Sequence, residues 1–399
     1  MKKILSIVLA MLMLASCMIS FAACGSSNAL FTKDAEGNVV VKIGGIGPLT
    51  GDYASYGNSV KNGAQIAVDE LNAKGELEGI RFELLFEDSQ GDPTKAANAF
   101  GKLQDDGMHV SLGGVLSGET KNIVANSAES GILVLTPSAS AKDAINKSNA
   151  FRVCFNDPQQ GECAAEIIAE KKLATKVALF YDNSNDYCVG NAETFKAKAA
   201  TLGLEIVKEQ TYTEATNTDF STQITAIKES GAELVFMPIY YSDAAKFLRQ
   251  ASSNGLDTIF FGVDGLDGLI GECGTEYADD CEDVILLTPY YANTNNDIVK
   301  GFVEAYEAKF GATPDQFAAD GYDAVMAIAE AIKKNGFTAD QLCEITAEDF
   351  NKKMVGAMTQ ITVTGATGTM QWTAEGETIK QPLVLQIKGG QYVVYGSEQ

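Results

Sequence analysis

The stretch Lys42-Ile43-Gly44-Gly45-Ile46-Gly47-Pro48-Leu49-Thr50-Gly51-Asp52-Tyr53-Ala54-Ser55-Tyr56-Gly57 decides the fold class. The apolar run from Val39 to Ile43, bounded by glycines, reads as a strand covered on both faces. Gly47-Pro48 and Thr50-Gly51 are turn signals. Beyond them Val60, Ala64, Ala67 and Leu71 recur at spacings of four, three and four, the apolar stripe of a helix. Strand, loop and helix in this order form one unit of an open α/β sheet, whose ligands bind outside the carboxyl ends of the strands. The loop before Gly57 is therefore a candidate binding loop with Tyr56 on its rim, and a plain strand-to-helix connection reads the same way.

The same alternation runs outward along the chain. Gly75 is placed to cap the first helix, and Ile80, Phe82, Leu84 and Phe86 alternate as a strand. Strands are expected at Val110 to Leu112, Ile132 to Leu135, Lys176 to Tyr181, Leu204 to Val207, Leu234 to Ile239, Ile259 to Phe261 and Val284 to Leu287. Helices lie between them, one capped by Asp219 with Phe220, Ile224 and Ile227 on its stripe. Long helical patterns cover Asp297 to Phe310 and Asp320 to Lys333, and the end turns to hairpin strands around Gly368 to Trp372 and Leu383 to Ile387. Strand-helix alternation of this length predicts doubly wound parallel sheets, and the number of units exceeds one sheet of ordinary width. Two α/β lobes follow, with a crossover at Phe151 to Pro158.

The chain has 399 residues, with 30 Lys plus Arg against 53 Asp plus Glu, a net charge of −23. Without a basic cluster, such a chain is a poor partner for nucleic acid or anionic lipid headgroups. Met1-Lys2-Lys3 followed by the apolar run Ile4 to Phe21 and Ala22-Ala23-Cys24 reads as an export signal. Cys24, followed by Gly25-Ser26-Ser27-Asn28, fits a lipoprotein cleavage site with a flexible tether, and Leu14-Ala15-Ser16-Cys17 offers Cys17 as the alternative. Exported chains permit disulfides, and Cys273 with Cys281 form the best pair across a polar, acidic loop.

Little in the sequence argues for catalysis. The single histidine, His109, precedes a buried strand and has no partner for a triad or a metal site. Gly113 and Gly118 have the spacing of a phosphate loop, but Glu119 stands where that motif requires Lys. No metal and no cofactor is expected. What stands out is the chemistry at strand ends. Ser117, Ser138 and Ser140 offer hydroxyls beside helix starts, which is how neutral donors hold a carboxylate. Asp264 with Tyr187 and Tyr240 offers an acid and aromatic faces, which an ammonium group needs. Taken singly, these serines cap helices, the acid solvates a turn and the tyrosines pack; together they suit a zwitterion gripped between two lobes.

The chain resembles the type I periplasmic binding proteins of branched-chain amino acid ABC transporters. The resemblance is carried by Gly47-Pro48-Leu49-Thr50-Gly51 with Tyr56-Gly57, Asn72-Ala73-Lys74-Gly75, Asp88 with Asp92-Pro93, Thr136-Pro137-Ser138-Ala139-Ser140, Asp157 with Gln160-Gly161, Asp219-Phe220-Ser221, Leu248-Arg249-Gln250-Ala251, Tyr322-Asp323-Ala324 and Gly365-Ala366-Thr367-Gly368. It implies two lobes joined by three hinge crossings. Residues 1–24 would be the signal and 25–38 the tether. The N-terminal lobe would comprise 39–155 and 289–364, and the C-terminal lobe 156–288 and 365–399. By resemblance, Ser117, Ser138 and Ser140 hold the ligand carboxylate, Asp264 and Tyr240 the ammonium, and Tyr56, Tyr187 and Phe317 wall the side chain. The family acid is a longer Glu where this chain has Asp264, and Gly118-Glu119 replaces a small-hydroxyl run. The implied protein is a monomeric, lipid-anchored, extracytoplasmic solute-binding protein, not an enzyme, that captures a neutral aliphatic α-amino acid and hands it to an ABC permease. A sensory ligand-binding module for an amino acid or small amide is the alternative.

Overall fold

The computed structural model describes residues 29–396, so both candidate lipidation cysteines, Cys17 and Cys24, lie outside the described residues. Five parallel strands form the first sheet: β1 (Val39–Gly47), β2 (Ile80–Asp88), β3 (Val110–Gly114), β4 (Val134–Thr136) and β5 (Ala150–Arg152), in the order β2-β1-β3-β4-β5. The second sheet holds β6 (Lys176–Asp182), β7 (Glu205–Tyr212), β8 (Leu234–Phe236), β9 (Ile259–Gly262) and β10 (Ile285–Thr288), all parallel. Two short strands, β11 (Thr362–Gly365) and β12 (Gly368–Gln371), pair only with each other. The last two, β13 (Leu383–Lys388) and β14 (Gln391–Val394), add an antiparallel edge to the second sheet, giving β14-β13-β10-β9-β8-β6-β7.

Helices cover both faces of the first sheet. On one face the Ala54–Lys74 and Gln316–Lys334 helices bury Ala64, Ala67, Ala324 and Ile328 against Val41, Ile43 and Leu112. These two helices lie close because glycines face backbone at their crossing. A Cβ on Gly63 would sit 1.8 Å from the Ala318 carbonyl oxygen, and one on Gly321 would sit 2.4 Å from that of Val60. On the other face Phe100, Leu103 and Ile123 pack on Ile46. Gly75 ends the first helix in the left-handed conformation (φ 62°), its N–H reaching the Leu71 carbonyl.

Three departures from the sequence reading have physical causes. The Phe151 to Pro158 stretch begins with β5, a strand whose three residues are all buried and so show no alternation. Asp219 acts one residue before the cap position, its carboxylate accepting from the Ser221 N–H at 3.0 Å, while Phe220 sits at the N-cap. The third crossing is also later than residue 365. Val363, Met370 and Trp372 are buried in the first lobe's core, and Asp323 of the Gln316–Lys334 helix accepts from the Ala366 and Thr367 N–H groups. The chain therefore joins the second sheet only at β13, after crossing beside β5, where the Arg152 N–H donates to the Gly376 carbonyl. Cys273 and Cys281 are joined by a disulfide. Among the described residues no helix is long and apolar enough to cross a membrane.

Candidate functional site

The lobes meet where the carboxyl ends of their strands face each other. Tyr56, Val115, Leu116 and Phe317 of the first lobe share one buried apolar cluster with Tyr187, Tyr240 and Tyr241 of the second. Tyr56 does more than line a wall. Its hydroxyl donates to the Gly265 carbonyl at 2.5 Å and accepts from the Tyr241 N–H at 3.2 Å, so one side chain bridges both lobes. Phe317, at the start of the Gln316–Lys334 helix, stacks at a tilt on Tyr56, with ring centres 4.2 Å apart.

On the first lobe, β3 ends at Gly114 and the Ser117–Ser130 helix starts three residues later. Ser117 Oγ accepts from the Ala141 N–H at 3.1 Å, and Ser138 Oγ donates to the Val115 carbonyl at 2.7 Å. The two loops that carry the serines are thus bonded to each other, and Ser117, Ser138 and Ser140 are all buried. Beneath them the guanidinium of Arg152, with no exposed surface, donates to the carbonyls of Ala139 (2.9 Å) and Ala141 (3.0 Å) and pairs with Glu377 at 3.2 Å. Glu119 bonds back into the loop that carries Ser117. It accepts from the Leu116 N–H and the Ser89 hydroxyl, and burial pushes its pKa up to about 7.

On the second lobe, β9 runs into the turn Asp264–Leu266. Asp264 is 4% exposed, and its Oδ1 accepts from the Tyr187 hydroxyl at 2.8 Å. The Tyr187 hydroxyl accepts in turn from the Gly265 N–H at 2.9 Å. The Asp264 backbone is held by Gln160, whose Oε1 accepts from its N–H, and by Gln316, whose Nε2 donates to its carbonyl. Burial raises the Asp264 pKa to about 6, opposed by hydrogen bonds from Tyr187, Gln160 and the Gly265 N–H. Among the described residues no Lys, Arg or His pairs with it. Tyr187 and Tyr240 stack face to face (centres 5.0 Å apart, planes 13° apart), and Tyr53 meets Tyr240 edge-on at 5.0 Å. A cavity of about 210 Å³ opens between Tyr53 and Leu116 of the first lobe and Asn185 and Tyr240 of the second.

All eight residues singled out from the sequence are buried: Tyr56, Tyr187, Tyr240 and Phe317 share the cluster that spans the junction, Asp264 is bonded to Tyr187, and the serines lie in the two bonded loops of the first lobe. Residue-by-residue reading missed four neighbours as site residues: Tyr53, Asp157, Gln160 and Gln316. Asp157 is fully buried, which raises its pKa, and neither of its carboxylate oxygens has a hydrogen-bond partner among the described residues. Its signal was available. Asp157 and Gln160 lie on the same stripe as Ala164, Ala165 and Ile168 of the Asp157–Glu170 helix, polar residues in apolar positions. Among the described residues, no group of three or more His, Cys, Asp or Glu could hold a metal ion.

Residues 40–391 match the family model described as periplasmic binding protein. The chain is 32% identical over 333 residues to the Leu/Ile/Val-binding protein BraC3 of Rhizobium johnstonii, covering 83% of this chain and 89% of that one. It is 30% identical over 298 residues to the leucine-, isoleucine-, valine-, threonine- and alanine-binding protein of Pseudomonas aeruginosa, covering 74% of this chain and 79% of that one. Among solved structures it is similar to a leucine binding protein LivK of Thermotoga maritima, with a TM-score of 0.79, 28% identity, and 89% and 98% of the two chains covered. It is equally similar to LivJ of Streptococcus pneumoniae, a branched-chain amino acid transporter substrate binding protein solved with isoleucine (TM-score 0.79, 27% identity, 88% and 97% covered).

Proposed function

Because this chain belongs to the periplasmic binding protein family, we propose that it captures an α-amino acid with an apolar side chain between its lobes and delivers it to an ABC permease. One observation carries the reading: a buried carboxylate, Asp264, hydrogen-bonded by neutral donors and walled by Tyr187 and Tyr240, without a cation of its own. An uncompensated buried charge is costly, and an incoming ammonium group relieves that cost. The aromatic faces around it favour the same cation. Opposite, the serine loops supply hydroxyls and the N-terminus of the Ser117–Ser130 helix, which suit the ligand carboxylate.

Tyr56, bonded to Gly265 and Tyr241 across the junction, makes closure and capture one event. The relatives' names point to leucine, isoleucine and valine. The protein works outside the cytoplasmic membrane, as a monomer held by a lipid on Cys24 or, alternatively, Cys17. The disulfide between Cys273 and Cys281 accords with an oxidising compartment.

A thermal-shift screen with single amino acids tests the proposal. A ligand at a hundred times its Kd adds about 2.7 kcal/mol of stability, so leucine, isoleucine or valine should raise the melting temperature by several degrees. A flat response to every amino acid would refute it.

A further inference from the structure

A second cavity, of about 400 Å³, lies apart from the serine–Asp264 junction, on the side where β10 leaves the second sheet and the chain returns to the first lobe. Asp267, Ile270 and Tyr392 of the second lobe line it, with Tyr290 and Asp315 on the first-lobe side. Asp267 is 6% exposed and Asp315 partly buried. Each is fixed by its neighbours. Asp267 accepts from the Gln316 N–H at 3.0 Å, and Asp315 accepts from the Ser59 hydroxyl at 2.6 Å and from the Ala318 N–H at 2.9 Å. Neither carboxylate has a Lys or Arg partner among the described residues, and burial together with the Asp315 charge lifts the Asp267 pKa to about 7.

An independent observation points to a missing occupant. Tyr290 is 4% exposed and lines this cavity, yet its hydroxyl has no hydrogen-bond partner among the described residues. A buried phenol without a partner forfeits a hydrogen bond, so the site is one polar contact short, and its two carboxylates have no cation among the described residues.

We propose that this cavity binds a small organic ammonium ion, with Asp267 and Asp315 as counter-charges, the Tyr290 hydroxyl as a further acceptor, and the rings of Tyr290 and Tyr392 as walls. The donor set selects the class. Aromatic faces and carboxylates are the complement of an ammonium group, and the Ile270 and Leu385 side chains beside them suit an alkyl chain. A bare metal ion is a poor occupant, because among the described residues no third acidic, His or Cys ligand joins the two carboxylates. Since the walls come from both lobes, occupancy biases the equilibrium between open and closed forms and couples reciprocally to amino acid binding in the main cleft.

The test is calorimetry of the full chain at pH 7.5 with n-butylammonium chloride, against sodium chloride at equal ionic strength. Saturable binding is expected in the wild type and in Asp264→Asn, which disables the main cleft. Asp267→Asn should weaken it at least tenfold, and Tyr290→Phe about threefold. No binding to the wild type, or equal binding to wild type and Asp267→Asn, overturns the proposal. So does loss in Asp264→Asn with retention in Asp267→Asn, which would put the amine in the main cleft. If Asp267→Asn does not fold, Tyr290→Phe and Tyr392→Leu decide in its place; each is expected to weaken binding, and unchanged binding in both overturns the proposal. Leucine titrated in parallel keeps the two sites distinct: failure to bind leucine counts against the transport reading and leaves the amine result standing.

Discussion

The two sides of the cleft reach burial in different ways. On the first lobe the polar groups satisfy one another: the Ser138 hydroxyl gives its hydrogen to Val115, Ser117 accepts from Ala141, and Arg152 holds the loop carbonyls. On the second lobe Asp264 has hydrogen bonds but no counter-charge. A side that is already satisfied can shape a ligand, but it has little to gain from one. A side that is short of a charge has much to gain. Affinity should therefore rest on the acid side, and geometry on the serine side.

The strongest way to break this contrast is Asp264→Ala. Losing one partner of a buried ion pair costs about 3–5 kcal/mol, so calorimetry should record a loss of leucine affinity of at least a hundredfold. Retention of affinity would erase the distinction. Acid titrates the same group without mutation. The free protein's Asp264 has a pKa of about 6, and its protonated form cannot pair with an ammonium. Leucine affinity should thus be flat from pH 8 to 7 and fall about tenfold per pH unit below about 6. Ser117→Ala removes one hydrogen bond to a charged group, a loss of about tenfold. Ser138→Ala should cost less, because that hydroxyl's hydrogen is already committed to Val115.

The smallest effect belongs to the free protein. Asp264, Glu119 and Asp267 have folded pKa values of about 6, 7 and 7, raised by burial above their ordinary values. Their stabilising protons are fully bound at low pH and lost as pH rises through these values. The melting temperature of the free protein should therefore climb by a few degrees from pH 8 to pH 6. His109, whose pKa burial lowers to about 4, works the other way below about 6.5. Saturating leucine should flatten the Asp264 part of this dependence.

Much of the architecture was legible because its signals are local. The Val39–Gly47 run, the stripe through Val60 and Ala64 and the cap at Gly75 are each set by neighbouring residues. β5 was not legible, since three fully buried residues carry no period. The third crossing was not legible either. The β11–β12 and β13–β14 hairpins look alike in sequence, and only the burial of Met370 and Trp372 in the first lobe separates them. Within the cleft, a residue with chemistry of its own, such as Asp264, could be picked out, whereas Gln160 and Gln316 act on its backbone and needed coordinates.

Arg152 gives the hinge a second duty. Its guanidinium grips the Ala139 and Ala141 carbonyls while facing Glu377 on the last crossing, which also accepts from Asn156 on the first. The carboxylate cradle is thereby bolted to two of the strips that must flex when the lobes part. Such a joint cannot pivot and leave the cradle's floor untouched, so a lever applied to the outside of the molecule is felt at its innermost loop.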